Sequence, residues 1–356
     1  MESQEEYIKG RGAQFRSANP YARLHMVQEH IEGIDEPIPY SETTTQLIFD
    51  YPKTIVNKVE SPDVGMRWSL NPYQGCEHGC IYCYARNTHQ YWGYSAGLDF
   101  ESKIIAKPNA PKLLRDWFNK KSWQPEAISL SGNTDCYQPA ERKLQLTRQL
   151  LEVFLEYKNP VSIITKNQLI LRDIDLLQDL AKENLTAVVI SITSLNEDLR
   201  LKLEPRTASY KSRLKVIEEL ARKNIPVGVM AAPVIPGLNI YDVPTVLKAS
   251  AGAGATFAGY TFVRLNGSVA DLFKDWLFKN YPDTYNKVLH QIEGAHGGSV
   301  NDSRFKRRMK GEGQIANTVA QLFKIARNKY MPGHGFPNLD TGKFQRPHDN
   351  GQIHLF

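Results

Sequence analysis

Cysteine is scarce in this chain, with four in 356 residues. That is too few for a disulfide scaffold to hold so long a polypeptide. No apolar run approaches the roughly 18 residues that a membrane span needs. The first ten residues, MESQEEYIKG, hold no apolar stretch of the kind that opens a secretory signal. These absences exclude a disulfide-stapled secreted module and a membrane-spanning helix bundle, and they set the expectation of a reducing, cytoplasmic home. Internal repeats and low-complexity tracts are also missing. What is present is 41% hydrophobic residues, enough to bury one large core, or one core with a small appendage.

The formal net charge is +6, and it is unevenly spread. Residues 301–330 hold eight Lys or Arg against two Asp or Glu, so the excess in this one segment, six, equals that of the whole chain. Such a stretch suits a polyanion. It equally suits a solvated amphipathic helix, because Met309, Ile315, Val319, Leu322 and Phe323 recur at roughly helical spacing.

Residues 1–65 are polar and punctuated by glycine and proline, with TTQLIFDY and KTIVNKV as two short candidate strands. From about residue 66 short apolar runs alternate with longer amphipathic stretches. The runs are SLNPYQG, AISLSG, VSIITK, TAVVISIT, PVGVMAAPV and FAGYTFVRL. Between them ERKLQLTRQLLEVFLEY, LILRDIDLLQDLAKE and SRLKVIEELARK read as helices long enough to cross back over a sheet. Six β/α units in succession predict an α/β fold with parallel strands. Four of the six runs are continuously apolar, as strands covered on both faces should be. A doubly wound sheet competes with a partial barrel on this evidence. After residue 266 the alternation gives way to helices with a Gly-rich loop, GAHGGSV, between two of them. The expected organisation is an N-terminal extension at 1–65, a β/α core at 66–265 and a basic helical extension at 266–356.

The most specific feature follows the first predicted strand: Gly75-Cys76-Glu77-His78-Gly79-Cys80-Ile81-Tyr82-Cys83-Tyr84, a CxxxCxxC. Three thiolates from one tight loop can hold three irons of a cubane and leave the fourth open to a small chelating molecule. Gly75 and Gly79 let the backbone curl closely around it. Two plainer readings compete. Zinc could take Cys76, Cys80 and Cys83 with His78 or Cys136, although zinc ligands are more commonly paired in separated knuckles. A ferredoxin-type cluster would need a fourth cysteine in regular spacing, and Cys136 is far downstream.

With CxxxCxxC after the first strand of a six-fold β/α chain, the sequence resembles the radical S-adenosylmethionine (SAM) superfamily. The resemblance implies a partial (β/α)6 barrel of TIM type with a [4Fe-4S] cluster on Cys76, Cys80 and Cys83 at the C-terminal mouth of the strands. It also implies SAM bound to the open iron through its amino and carboxylate groups. Reductive cleavage would then yield methionine and a 5′-deoxyadenosyl radical that takes a hydrogen atom from substrate. A low-potential electron donor of flavodoxin or ferredoxin type is implied as partner. Within the superfamily, the Cys-Ile-Tyr-Cys-Tyr ending, the Thr165-Lys166 pair and the segment from Ser191 to Ser194 look like spore photoproduct lyase and the DNA repair photolyase-like proteins, over roughly residues 66–265.

The site residues implied by that resemblance sit at strand ends, where a β/α barrel binds its ligands. Tyr82, inside the cysteine motif, is one of them. Ser131, Asn133 and Asp135 occupy the segment that meets the methionyl amino group in similar enzymes; Asn133 or Asp135 would also serve as a helix N-cap. Lys166 and Arg206 are candidates for the methionyl carboxylate, against the alternatives of a surface lysine and of an ion pair between Arg206 and Glu204. Ser191 and Thr193 alternate on one strand and so face one side, the ribose-contacting position. Val234 and Ile235 lie in the segment that resembles the adenine lining, which would otherwise be a turn.

Cys136 lies in the loop where the lyase carries a hydrogen-donating cysteine, but the lyase position aligns near Gly132, a few residues earlier, and a buried free thiol is the alternative. Tyr82, Tyr84, Tyr91, Trp92 and Tyr94, with the basic segment, could form a base-stacking platform beside a phosphate track, or pack internally. Three functions are therefore carried forward. The first is a radical SAM enzyme acting on nucleic acid, the second one acting on a peptide or small metabolite, and the third a structural metal protein.

Overall fold

The computed structural model describes residues 7–21, 44–333 and 335–347. Ten strands occur among them: β1 (Gln46–Phe49), β2 (Val56–Lys58), β3 (Trp68–Leu70), β4 (Tyr73–Gln74), β5 (Lys103–Ala106), β6 (Ile128–Leu130), β7 (Val161–Thr165), β8 (Thr186–Ser191), β9 (Val227–Val234) and β10 (Phe257–Phe262). The main sheet runs β10-β9-β8-β7-β6-β3-β2. Its six strands from β3 to β10 are parallel, and β2 closes one edge antiparallel to β3.

Parallel neighbours follow one another in chain order with no reversal, so the chain winds one way around. A doubly wound sheet would reverse at an internal switch point. The arrangement is a partial (β/α)6 barrel, and all six predicted runs supply its strands. In β8 and β9 every residue but Val189 and Met230 is buried, because crossover helices such as Leu146–Glu156, Tyr210–Arg222 and Asp242–Gly252 cover one face while the barrel interior fills the other. Leu70, Leu130, Ile163, Val188 and Val229 join the main core with the inner faces of those helices.

Two local expectations are corrected. The run SLNPYQG is divided: Trp68–Leu70 lies in the barrel, whereas Tyr73–Gln74 turns into a three-stranded sheet of order β1-β5-β4. The stretch ERKLQLTRQLLEVFLEY is two helices, Glu141–Leu144 and Leu146–Glu156, broken at Gln145, whose φ is 51°. Across the break the buried Glu141 carboxylate accepts from the Thr147 amide at 3.0 Å, in the first turn of the second helix. The two strands expected in TTQLIFDY and KTIVNKV form as β1 and β2.

Candidate active site

The cysteine loop follows β4 and is built as a rigid turn. Gly79 has φ 67°, and a Cβ there would stand 2.8 Å from Glu101 Oε2. Glu101 is fully buried and organises the loop from behind. Its carboxylate pairs with Arg86 at 2.5 Å and accepts from the amides of Gly12 at 3.0 Å and Ala13 at 2.8 Å. Arg86 in turn donates to the carbonyls of Gly79, Cys80, Ala96 and Gly97. Gln138 clamps the other end, donating to Gly75 O at 3.1 Å and accepting from the Glu77 amide at 3.1 Å. Backbone amides also face the sulfurs: that of His78 bonds Cys76, and those of Ala85 and Arg86 bond Cys83, contacts that favour thiolates.

Cys76, Cys80 and Cys83 are free thiols, the first two buried. Burial pushes the Cys80 thiol up to about 12 and raises Cys76 and Cys83 as well. Thiolates form in so dry a loop only against a cation that neutralises them. A zinc clip would need a fourth ligand from His78 or Cys136, and both are engaged elsewhere. His78 is committed to Asn167 at 3.1 Å and to Asp135 at 3.4 Å. Cys136 belongs to the main core, apart from the apolar cluster that contains Cys80 and Cys83. Three thiols carried on one loop, two of them buried, fit a cubane, in which each holds a different iron.

The strand-end residues converge on a buried polar network that adjoins the loop. Glu204 is its hub. Its Oε1 accepts from the Tyr82 hydroxyl and from Thr193 Oγ1, the latter at 2.5 Å, and its Oε2 meets Arg213 Nη2 at 2.5 Å. Burial would raise the Glu204 carboxyl, but Arg213 and Lys166 outweigh it and hold it down to about 2. Arg213 also donates to the Ser191 carbonyl, and Thr193 Oγ1 lies 2.9 Å from Ala232 O, so the network ties the ends of β8 and β9 to the cysteine loop. Asn239 adds a second tie, donating to Thr193 O and Pro233 O while accepting from the Ile235 amide. Ile235 lies in one apolar cluster with Cys80 and Tyr82, and Val234 is buried in the main core.

Lys166, at the end of β7, feels the Cys80, Glu204 and Asp135 charges and makes no ion pair among the described residues. Asp135 accepts from the Lys166 amide, Thr165 Oγ1 and the Tyr137 amide, bracing the β6 loop against β7. Ser131, at φ 75°, accepts from the Cys136 amide at 2.6 Å. Asn133 bonds Asn71 and Thr88, the latter on the helix after the cysteines. Arg206 approaches Glu77 at 3.9 Å, while Glu204 takes Arg213 as its partner. Cys136 is fully buried among core side chains, and burial raises its thiol well above the ordinary value. Tyr82 is buried, whereas Tyr84, Tyr91 and Trp92 are exposed.

Glu204, Arg213, Arg86, Glu101 and Gln138 are absent from the sequence-derived site. One signal was available for Arg213: it falls on the same helical face as Val216, Ile217 and Leu220, where a charge needs a buried partner.

Known proteins bear on this arrangement in three ways. The family model for the radical SAM superfamily matches residues 70–249. An uncharacterized protein of Mycobacterium tuberculosis is 32% identical over 238 residues, covering 66% of this chain and 70% of that protein. An uncharacterized protein of Methanocaldococcus jannaschii is 30% identical over 240 residues, covering 67% and 85%. A radical SAM Nalpha-GlyT isomerase of Pseudomonas phage M6 is 25% identical over 277 residues, covering 75% and 55%. Among solved structures, spore photoproduct lyase complexed with dinucleoside spore photoproduct superposes with a TM-score of 0.61 at 14% identity, covering 86% of each chain. A singly wound parallel barrel, three thiols on the loop beyond its first strand, and a family match over residues 70–249 agree: the chain belongs to the radical SAM superfamily.

Proposed function

We propose that this radical SAM enzyme acts on nucleic acid. The observation that carries the reading is the rim beside the cysteine loop. There the exposed Tyr84, whose hydroxyl donates to Gly132 O at 2.6 Å, feels the charge of Arg264, which in turn feels that of Arg308. Aromatic faces next to fixed cations are what a flipped or single-stranded base and its phosphates require. The structural similarity to a lyase bound to a dinucleoside photoproduct supports the same class of substrate.

When bound, the [4Fe-4S] cluster and SAM supply reductive cleavage to methionine and a 5′-deoxyadenosyl radical that abstracts hydrogen from substrate. Cys76, Cys80 and Cys83 hold the cluster. Lys166, without an ion-pair partner, offers its ammonium to the methionyl carboxylate, and Arg206 stands as a second cation on the same side. Asn133 serves the methionyl amino group, with Ser131 and Asp135 bracing its loop. Thr193 and Ser191 serve the ribose, and Val234 with Ile235 the adenine. Electrons come from a low-potential donor of flavodoxin or ferredoxin type.

Iron-reconstituted, dithionite-reduced protein should hold about four irons and release 5′-deoxyadenosine from SAM. Cys80→Ala should abolish both, whereas Cys136→Ala should keep the cluster absorbance, because Cys136 lies in the core. One zinc per chain with no iron would sink the enzymatic reading. Fluorescence anisotropy with DNA and RNA oligonucleotides over a salt series tests the substrate. Affinity should fall steeply with salt, and a flat response would favour a peptide or small metabolite.

A further inference from the structure

A six-stranded partial barrel leaves an opening between its first and last strands. Here residues 302–310 cross it. Met309 O accepts from the amide of Phe262 on β10 at 2.9 Å, while the Lys306 amide and Arg308 Nε both bond Asp63, which follows β2, and Arg308 Nη2 reaches Ser61. The strap thus joins the two edges of the sheet.

Arg264 lies under this strap, two residues beyond β10. Its guanidinium is half-buried, its Nε is buried with no hydrogen-bond partner, and its Nη1 meets only the Met309 sulfur, at 3.7 Å. The nearby carboxylates are already engaged. Asp63 serves Arg308, and Asp302 serves Arg304 and Arg307. Arg264 makes no ion pair among the described residues. Burial, and after it the Arg308 charge, weakens its hold on the proton. Asp63 and Asp302 act on Arg264 only from a distance, and a guanidinium with a buried, unbonded Nε costs free energy that a bound anion would offset. The segment after Arg264 also touches the helix after the cysteines, Asn87 donating to Asn266 O at 2.7 Å, so Arg264 shares the rim with Tyr84.

We propose that Arg264 and Arg308 form a binding site for a backbone phosphodiester of the nucleic-acid substrate, at the seam where the strap closes the barrel. This rests on the reading of the substrate as nucleic acid. A phosphodiester brings one negative charge and two free oxygens, which two guanidinium forks can bind in parallel pairs. Because Arg308 also holds Asp63, a bound phosphate competes with the latch, and substrate entry and strap opening become linked.

The test uses cluster-loaded protein under anaerobic conditions, with fluorescein-labelled single-stranded and duplex oligonucleotides read by anisotropy across a chloride series. Arg264→Gln should bind roughly tenfold more weakly. Its plot of log affinity against log salt should be shallower by about 0.7 for single strands or about 0.9 for duplex. Lys324→Gln, on the exposed side of the helix Gly313–Tyr330, should keep the wild-type slope. If Arg264→Gln fails to fold, Arg264→Lys substitutes: slope retained and affinity reduced is the supporting result. Wild-type binding with an unchanged slope in the Arg264 variant overturns this site but leaves the substrate class standing. No wild-type binding at all removes the substrate class itself. A melting shift with inorganic phosphate that Arg264→Gln abolishes, beside unaltered oligonucleotide binding, overturns the assignment to a polynucleotide.

Discussion

Glu204 is a carboxylate that never meets solvent, and its buried partner Arg213 makes it affordable. Removing one member of such a pair strands the other in a low-dielectric interior at a cost of about 3–5 kcal/mol. Glu204→Gln should therefore lower the stability of the metal-free protein at neutral pH by several kcal/mol in urea titrations. The pH dependence follows from the sign of the shift. The folded pKa, about 2, lies below the unfolded value of about 4.3, so the contribution is whole above the unfolded value and fades as pH falls toward the folded one. The gap between wild type and Glu204→Gln should accordingly narrow between about pH 4.3 and pH 2. A gap that stays constant over this range would place the stabilisation elsewhere than in the ionised pair.

At the scale of elements, the cysteine loop depends on backbone shape as much as on thiols. Gly79→Ala forces a side chain into left-handed backbone, which costs about 1–2 kcal/mol, and also drives a methyl into Glu101, which neutralises Arg86. Gly93→Ala carries a similar φ, 82°, with nothing within 4 Å of the new methyl. Iron retained after reconstitution should fall sharply in the Gly79 variant and little in the Gly93 variant; equal loss in both would mean that the contact with Glu101 is immaterial. The helix Gly313–Tyr330 is the second element at issue. Its apolar stripe, with Ala316, Val319 and Ala326 buried, joins the main core, while Lys324 and Lys329 face outward. Val319→Asp should destabilise by ~3 kcal/mol or more, through an unpaired buried charge. Lys324→Glu should stay within about 0.5 kcal/mol. Comparable effects on the melting temperature would contradict the helix orientation.

For the whole molecule, the barrel is not self-sufficient. β2 supplies an edge strand, Gly12 and Ala13 brace the loop behind the thiols, and the helix Gly313–Tyr330 contributes core residues beside Val246 and Leu247. A fragment of residues 66–265 should consequently fail to unfold cooperatively and should not retain iron, as circular dichroism and iron analysis would record. A fragment that melted in one sharp transition and held its cluster would mean that these flanking contacts are dispensable. Among the described residues, no helix is long and apolar enough to cross a membrane.

The six apolar runs and the CxxxCxxC are legible in the sequence alone, because strand burial and thiolate chemistry are written in short stretches of neighbouring residues. One-way winding, rather than reversal, was decided only by which strands pair, since both architectures need the same alternation of runs and helices. The Glu204 hub was equally hidden. Tyr82, Thr193, Glu204 and Arg213 span more than a hundred positions, and a charge inside a core announces itself only when packing brings its partner to it. The buried, unbonded Nε of Arg264 belongs to the same class. In sequence Arg264 is an ordinary strand-end arginine, and only the strap that folds back over it leaves the guanidinium half-buried without a carboxylate.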